Sequence, residues 1–172
     1  QAGSGHEGSA MLEIVHDLAP AAQLFYATAI ISPAQFAQNI LDLAASGCHV
    51  IVDDVIFFDE NAFQDGPIAQ AVNTVSENGV LYFSSAGNQG NVSDGTSGTW
   101  EGDFAPNGSI SGITGTAHNF GDGGQSILVM NTGGTTVLKW AEHETLNQGF
   151  ASTDFDIYVG LSAGAFLAAR RL

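Results

Sequence analysis

Before residue 80 the chain repeats one pattern three times: apolar positions at helical spacing, then a short apolar run. Ala10, Ile14 and Leu18 share one face with Met11 and Val15 beside them, predicting a helix over 9–18 that Ala19-Pro20 ends. Ser32-Pro33 is an N-cap and N1 pair, and the stripe Phe36, Ile40, Leu41 and Ala44 runs from it to Gly47, a C-cap residue. Gly66-Pro67 opens a third helix, with Ile68, Val72 and Val75 on one face and Gly79 at its end. The runs that follow, Gln23 to Ala29, His49 to Phe58 and Val80 to Phe83, read as strands. Helix and strand alternate with short connections. The expectation is an α/β fold: a three-layer parallel sheet with helices on both faces.

After Asn88 the texture changes. Residues 91–102 are rich in Gly, Ser, Thr and Asp. Short runs follow, Gly112 to Phe120, Ser126 to Asn131, Thr135 to Trp140 and Phe155 to Val159, separated by turns such as Gly121-Asp122-Gly123-Gly124. They predict an antiparallel β sandwich or jelly-roll-like unit. The expected division is 1–104, 105–159 and an Ala-rich tail, 160–172, read either as a C-terminal helix or as sequence foreign to the domain.

Composition narrows the function classes. Of 172 residues, 18 are Asp or Glu and 3 are Lys or Arg, a net charge of −15. Neutralising phosphates needs basic groups, so nucleic acid is excluded as a partner, and anionic membrane surfaces are disfavoured. The single Cys48 excludes an internal disulfide framework and a cysteine-based zinc site. No apolar run approaches the ~20 residues of a membrane-spanning helix. The chain starts at Gln1 without a signal peptide and reads as a mature form or a piece of a longer protein.

Candidate chemistry gathers where strands end. Small residues Ser84 to Gly87 follow the run Val80 to Phe83, and Asn88 stands where that strand runs out. In open α/β sheets ligands bind outside the carboxyl ends of strands. An amide there can donate into a cleft as an oxyanion hole requires; a plain polar turn over 88–91 is the other reading. Asp53 and Asp54 end a buried strand, where carboxylates are costly unless paired or exposed in a cleft. Gly160-Leu161-Ser162-Ala163-Gly164 has the letters of a G-x-S-x-G nucleophile elbow, between a strand-like and a helix-prone run. His16, His49, His118 and His143 show no metal-ligand spacing. Asp154 and Asp156 share a strand face, as a cation site or a solvated face.

Glu7 to Ala22 resembles the histidine-bearing helix of subtilisin-like serine peptidases, which reads His-Gly-Thr, a small-residue helix, then Ala-Pro-x-Ala. Ser84 to Gly90 resembles that family's oxyanion motif, Ala-Gly-Asn-x-Gly. The resemblance covers about residues 5 to 104. The β-rich part is similar to the sandwich extension of some large secreted bacterial subtilase-like proteins. Counting back from Ala19-Pro20, the family's catalytic His slot falls on Glu7, with His6 beside it. A Glu there looks like the sedolisins, related acid-acting peptidases, but their partner Asp would fall on Met11. Their oxyanion residue is Asp, whereas Asn88 follows the subtilisin manner. The family's Asp strand would precede Gln1. Gly95-Thr96-Ser97 matches the catalytic Ser motif in letters but is followed by Gly98-Thr99-Trp100-Glu101, which is no helix.

The resemblance implies a secreted hydrolase of the subtilisin/sedolisin type, acting on a peptide or another small hydrolysable substrate. Glu7 is its general base or acid, Asn88 its oxyanion donor and Asp54 lies where subtilases line the substrate pocket. Ser162 is the one structural candidate for nucleophile; otherwise Glu7 and Asp54 activate water. Two other classes stay open. One is a non-catalytic remnant that binds or assembles, with homodimers through exposed sheet edges. The other is a carboxylate-dyad glycoside or ester hydrolase, or a G-x-S-x-G esterase. No cofactor is expected; a structural calcium ion is compatible with the acidity.

Overall fold

The computed structural model describes residues 6–29, 32–88, 90–112, 114–121, 128–129, 135–141, 153–160 and 164–170. The chain divides into two compact units, Gln1–Thr96 and Ser97–Leu172, so the division falls ahead of residues 104–105.

The first unit is built from α1 (Glu7–Leu18), α2 (Pro33–Ala45), β1 (Val50–Asp53), α3 (Pro67–Glu77) and β2 (Leu81–Ser84). All three expected helices form. The Ser32 side chain accepts from the Gln35 amide at 3.3 Å, capping α2, with Pro33 as its first residue. α2 and α3 end alike. Gly47 has φ +95° and Gly79 has φ +87°. The next amides, of Cys48 and Val80, reach back to the carbonyls of Leu43 and Val75 at 3.2 and 3.1 Å. This ending turns each helix straight into its strand.

β1 and β2 pair in parallel, Val50 opposite Leu81 through Asp53 opposite Ser84. Helices and a parallel sheet make this unit α/β, but the sheet has two strands. Residues 23–29, expected as a strand, join no ladder; Asn39 Nδ2 of α2 instead donates to the Thr28 carbonyl at 3.0 Å. The strand expected over His49 to Phe58 shortens to Val50–Asp53, since Asp53 turns its carboxylate to β2 and ends the apolar run. The core lies between the sheet and α2 and α3: Phe36, Ala37, Ile40, Ile51, Ala71 and Val75 are buried together. Phe57 packs its ring on Phe36 at 5.1 Å.

The second unit holds β3 (Thr116–Ala117), β4 (Leu128–Val129), β5 (Asp154–Gly160) and β6 (Gly164–Arg170) in one four-stranded antiparallel sheet. β6 is its centre, pairing with β5 along its whole length and with β3 and β4 at its two ends. Of the two readings of residues 160–172, the C-terminal helix is therefore corrected. Residues 164–170, within the stretch set apart as a tail, are a strand of this sheet. Ala and Leu favour a helix by propensity, but partners on both edges override that. Residues 135–140 form no strand.

In the same unit an aromatic cluster surrounds His118, which is 0% exposed. Trp100 and Phe120 meet its ring edge-on at 4.6 Å, and Phe104 lies at 5.3 Å. Its Nδ1 accepts from the Ala105 amide at 3.1 Å. That bond assigns the neutral tautomer with the proton on Nε2, which is buried without a hydrogen-bond partner among the described residues. Burial lowers the His118 pKa below its ordinary value.

Candidate active site

The carboxyl ends of β1 and β2 open on a cleft of about 650 Å3 in the first unit. Alternation along β1 sends Ile51 into the core and Asp53 towards the cleft; alternation along β2 sends Tyr82 and Ser84 to the same side. The Tyr82 hydroxyl donates to Asp53 Oδ2 at 2.5 Å and the Ser84 hydroxyl to Oδ1 at 2.9 Å. Both oxygens of Asp53 are thus held from the neighbouring strand. The Ser85 amide adds a bond to the Asp53 carbonyl at 3.1 Å, extending the ladder one residue into the loop. Tyr82 has its pKa pushed far above the ordinary value, first by burial, then by the hydrogen bond and the charge of Asp53.

Glu7, Asp54 and Asn88, named from widely separated parts of the sequence, all line this one cleft. Glu7 is the first residue of α1, where a carboxylate meets the positive end of the helix dipole. Asp54 follows the last residue of β1, and Asn88 lies beyond Gly87, whose φ of +77° turns the chain after β2. Phe36, Phe57 and Ile68 supply apolar walls. Glu60, also on the wall, accepts from the Ile68 amide at 3.1 Å and so satisfies the start of α3, where Gly66 provides no side-chain cap.

Asn88 is followed by a closed loop. Asn91 Oδ1 accepts from the Asp94 amide at 2.8 Å, the Asn91 amide donates to Thr96 Oγ1 at 3.2 Å, and the Thr96 amide returns to the Asn91 carbonyl at 3.0 Å. Thr96 in Gly95-Thr96-Ser97 therefore closes a turn, and residues 97–105 form no helix. Gly90, with φ +75°, lies so close to the Thr96 carbonyl that a Cβ has no room.

Ser162 lies outside the described residues. On either side of it in sequence, Gly160 ends β5 and Gly164 begins β6, and the two pair antiparallel. A nucleophile elbow needs a strand leading into a helix; here a strand leads into a strand, so the context read from the sequence is corrected. His143 also lies outside the described residues. No group of three or more His, Cys, Asp or Glu that could hold a metal occurs among the described residues.

Sequence reasoning missed Tyr82 and Ser84. The signal was present: polar groups two apart at the end of one strand, in register with an aspartate at the end of the strand before it. Comparison with protein-family models, characterised proteins and solved structures returns no match, so the cleft is read from its own residues.

Proposed function

We propose that the first unit is the core of a hydrolase of the subtilisin/sedolisin type that cleaves peptide bonds with carboxylates and water. The observation that carries this reading is the convergence of Glu7, Asp54 and Asn88 on one cleft beyond the carboxyl ends of parallel strands. One carboxylate removes a proton from water as its oxygen attacks the carbonyl carbon. The carbonyl electrons move to oxygen, where the Asn88 amide donates to the oxyanion. The C–N bond then breaks as the other carboxyl group gives its proton to the leaving amine. Asp53, already bonded to Tyr82 and Ser84, fixes the wall of the cleft. The same proposal extends the two-stranded parallel sheet to a three-layer subtilase-like fold and the antiparallel sheet of the second unit to a sandwich, in a secreted protein.

The test is turnover of casein, an aryl ester and an aryl glycoside by the wild type and by Glu7→Gln, Asp54→Asn and Ser162→Ala. Casein cleavage is expected, falling about 10²- to 10⁴-fold in both carboxylate variants and unchanged in Ser162→Ala. Full activity in both carboxylate variants eliminates this site. Turnover of the glycoside alone makes the pair a glycosidase dyad.

One observation favours a second reading, a non-catalytic unit used in binding or assembly. β5 ends at Gly160 and β6 begins at Gly164, so a strand and not a helix follows the sole serine that the sequence offers as a nucleophile. Wild type inert on all three substrates is the outcome this reading expects.

A further inference from the structure

Ser84 is an exposed serine whose hydroxyl donates to Asp53 Oδ1 at 2.9 Å. Tyr82 holds Oδ2 of the same carboxylate, so Asp53 is fixed at both oxygens. A nucleophile within hydrogen-bond reach of a base, with that base oriented by a third group, is the arrangement of covalent catalysis. The register of β1 on β2 builds it, since Asp53 stands opposite Ser84. Any donor satisfies a strand-end carboxylate. Here the donor also faces the cleft that carries the Asn88 amide. Glu7, Asp53, Asp54 and Glu60 line that cleft and repel an anionic substrate, while Phe36, Phe57 and Ile68 give an uncharged one apolar walls.

We propose that Ser84 is a nucleophile and that the cleft hydrolyses uncharged aryl esters through an acyl-Ser84 intermediate. Ser84 Oγ attacks the ester carbonyl carbon and its proton passes to Asp53 Oδ1. The Asn88 amide donates to the oxyanion; for this donor alone the proposal rests on the peptidase reading above. As the carbonyl re-forms, the C–O bond to the aryl group breaks. An aryloxide leaves without a general acid, unlike an amine, so a serine and one base suffice for esters. The aryloxide then takes the proton from Asp53. Water attacks the acyl carbon, its proton passing to Asp53 and from there to Ser84 Oγ as the carboxylic acid departs. Ester and water are consumed, acid and phenol are released, and Ser84 and Asp53 return to their starting states.

The probe is an alkyl fluorophosphonate, added to the full chain. Ser84 Oγ attacks its phosphorus, fluoride leaves, and the proton goes to Asp53. Peptide mass spectrometry of the wild type then locates the adduct, and this step needs no variant. Wild type unfolded in urea is the control. Asp53→Asn keeps an oxygen that accepts from Ser84 but cannot take its proton. The expected result is an adduct on Ser84 of the native chain, little in urea, and labelling slower by about 10²-fold or more in Asp53→Asn. Aryl-ester turnover should fall in step with labelling. An adduct on Ser85, Tyr82 or Ser162 instead, or none, overturns the proposal. So does equal labelling of native and unfolded chain, or a wild-type rate in folded Asp53→Asn. Casein cleavage on the same samples separates the two readings. Labelled Ser84 with casein intact supports this proposal and sinks the peptidase reading. Casein cleaved by a chain that takes no label on Ser84 overturns this proposal and leaves that reading standing.

Discussion

The Tyr82 hydroxyl donates to the Asp53 carboxylate across the parallel β1–β2 pair, 2.5 Å from oxygen to oxygen, on the wall of the cleft that Glu7, Asp54 and Asn88 share. A hydrogen bond to a charged acceptor belongs to the stronger class of hydrogen bonds. Burial and the adjacent carboxylate both disfavour the phenolate, so Tyr82 holds its proton well past the ordinary value of 10.0. At a pH where ordinary phenols have ionised, ultraviolet titration of the folded protein should leave one tyrosine un-ionised, and Tyr82→Phe should abolish that fraction. The folded pKa is raised above the unfolded one, so the associated stability is complete below about pH 10 and is lost as pH rises beyond it. Tyr82→Phe should also cost about 1 kcal/mol at neutral pH, read by denaturant unfolding, because Asp53 then keeps Ser84 alone.

His118 gives the opposite dependence. Its folded pKa lies below the ordinary 6.5, and a protonated Nδ1 can no longer accept from the Ala105 amide. The unfolded chain takes up the proton first, so stability is intact above pH 6.5 and is lost as pH falls towards the folded value. Unfolding followed from about pH 8 to about pH 5 should show this loss in wild type and a shallower one in His118→Phe, which keeps an aromatic ring among Trp100, Phe104 and Phe120.

The loop after Asn88 separates space from conformation. Gly90 and Gly95 both have positive φ, +75° and +65°. A Cβ on Gly90 meets the Thr96 carbonyl, whereas a Cβ on Gly95 meets open space. Gly90→Ala should therefore destabilise more than Gly95→Ala, by about 1 kcal/mol or more, in denaturant unfolding of the two variants.

Ile40, 2% exposed at the centre of the α2 stripe, anchors the first unit. Ile40→Ala should cost about 2–5 kcal/mol, whereas Leu18→Ala on α1, 83% exposed, should cost little. Comparing the two unfolding midpoints checks which helix face holds the fold.

What was legible in the sequence was local chemistry. Ser32-Pro33 fixes the start of α2, and Gly47 and Gly79 fix the ends of α2 and α3, because a cap is made by residues within one turn of each other. Ile40 and Val75 were readable as core because periodicity alone puts them on the inner face. What was not legible depended on partners distant in the chain. Residues 164–170 carry helical propensity and become the central strand because β3, β4 and β5 pair with them. Residues 23–29 have a strand's composition but take an Asn39 bond instead of a ladder. Asp53 was visible as a costly strand-end carboxylate, but its resolution by Tyr82 and Ser84 required the register of β1 against β2.

The central claim is that the cleft stabilises an oxyanion through Asn88. The most direct measurement is steady-state hydrolysis of casein-derived peptides by Asn88→Ala beside wild type. The account predicts kcat lower by about 10²- to 10³-fold with KM nearly unchanged, because the amide acts on charge that exists only in the transition state. A wild-type kcat in Asn88→Ala, or a change confined to KM, would contradict it.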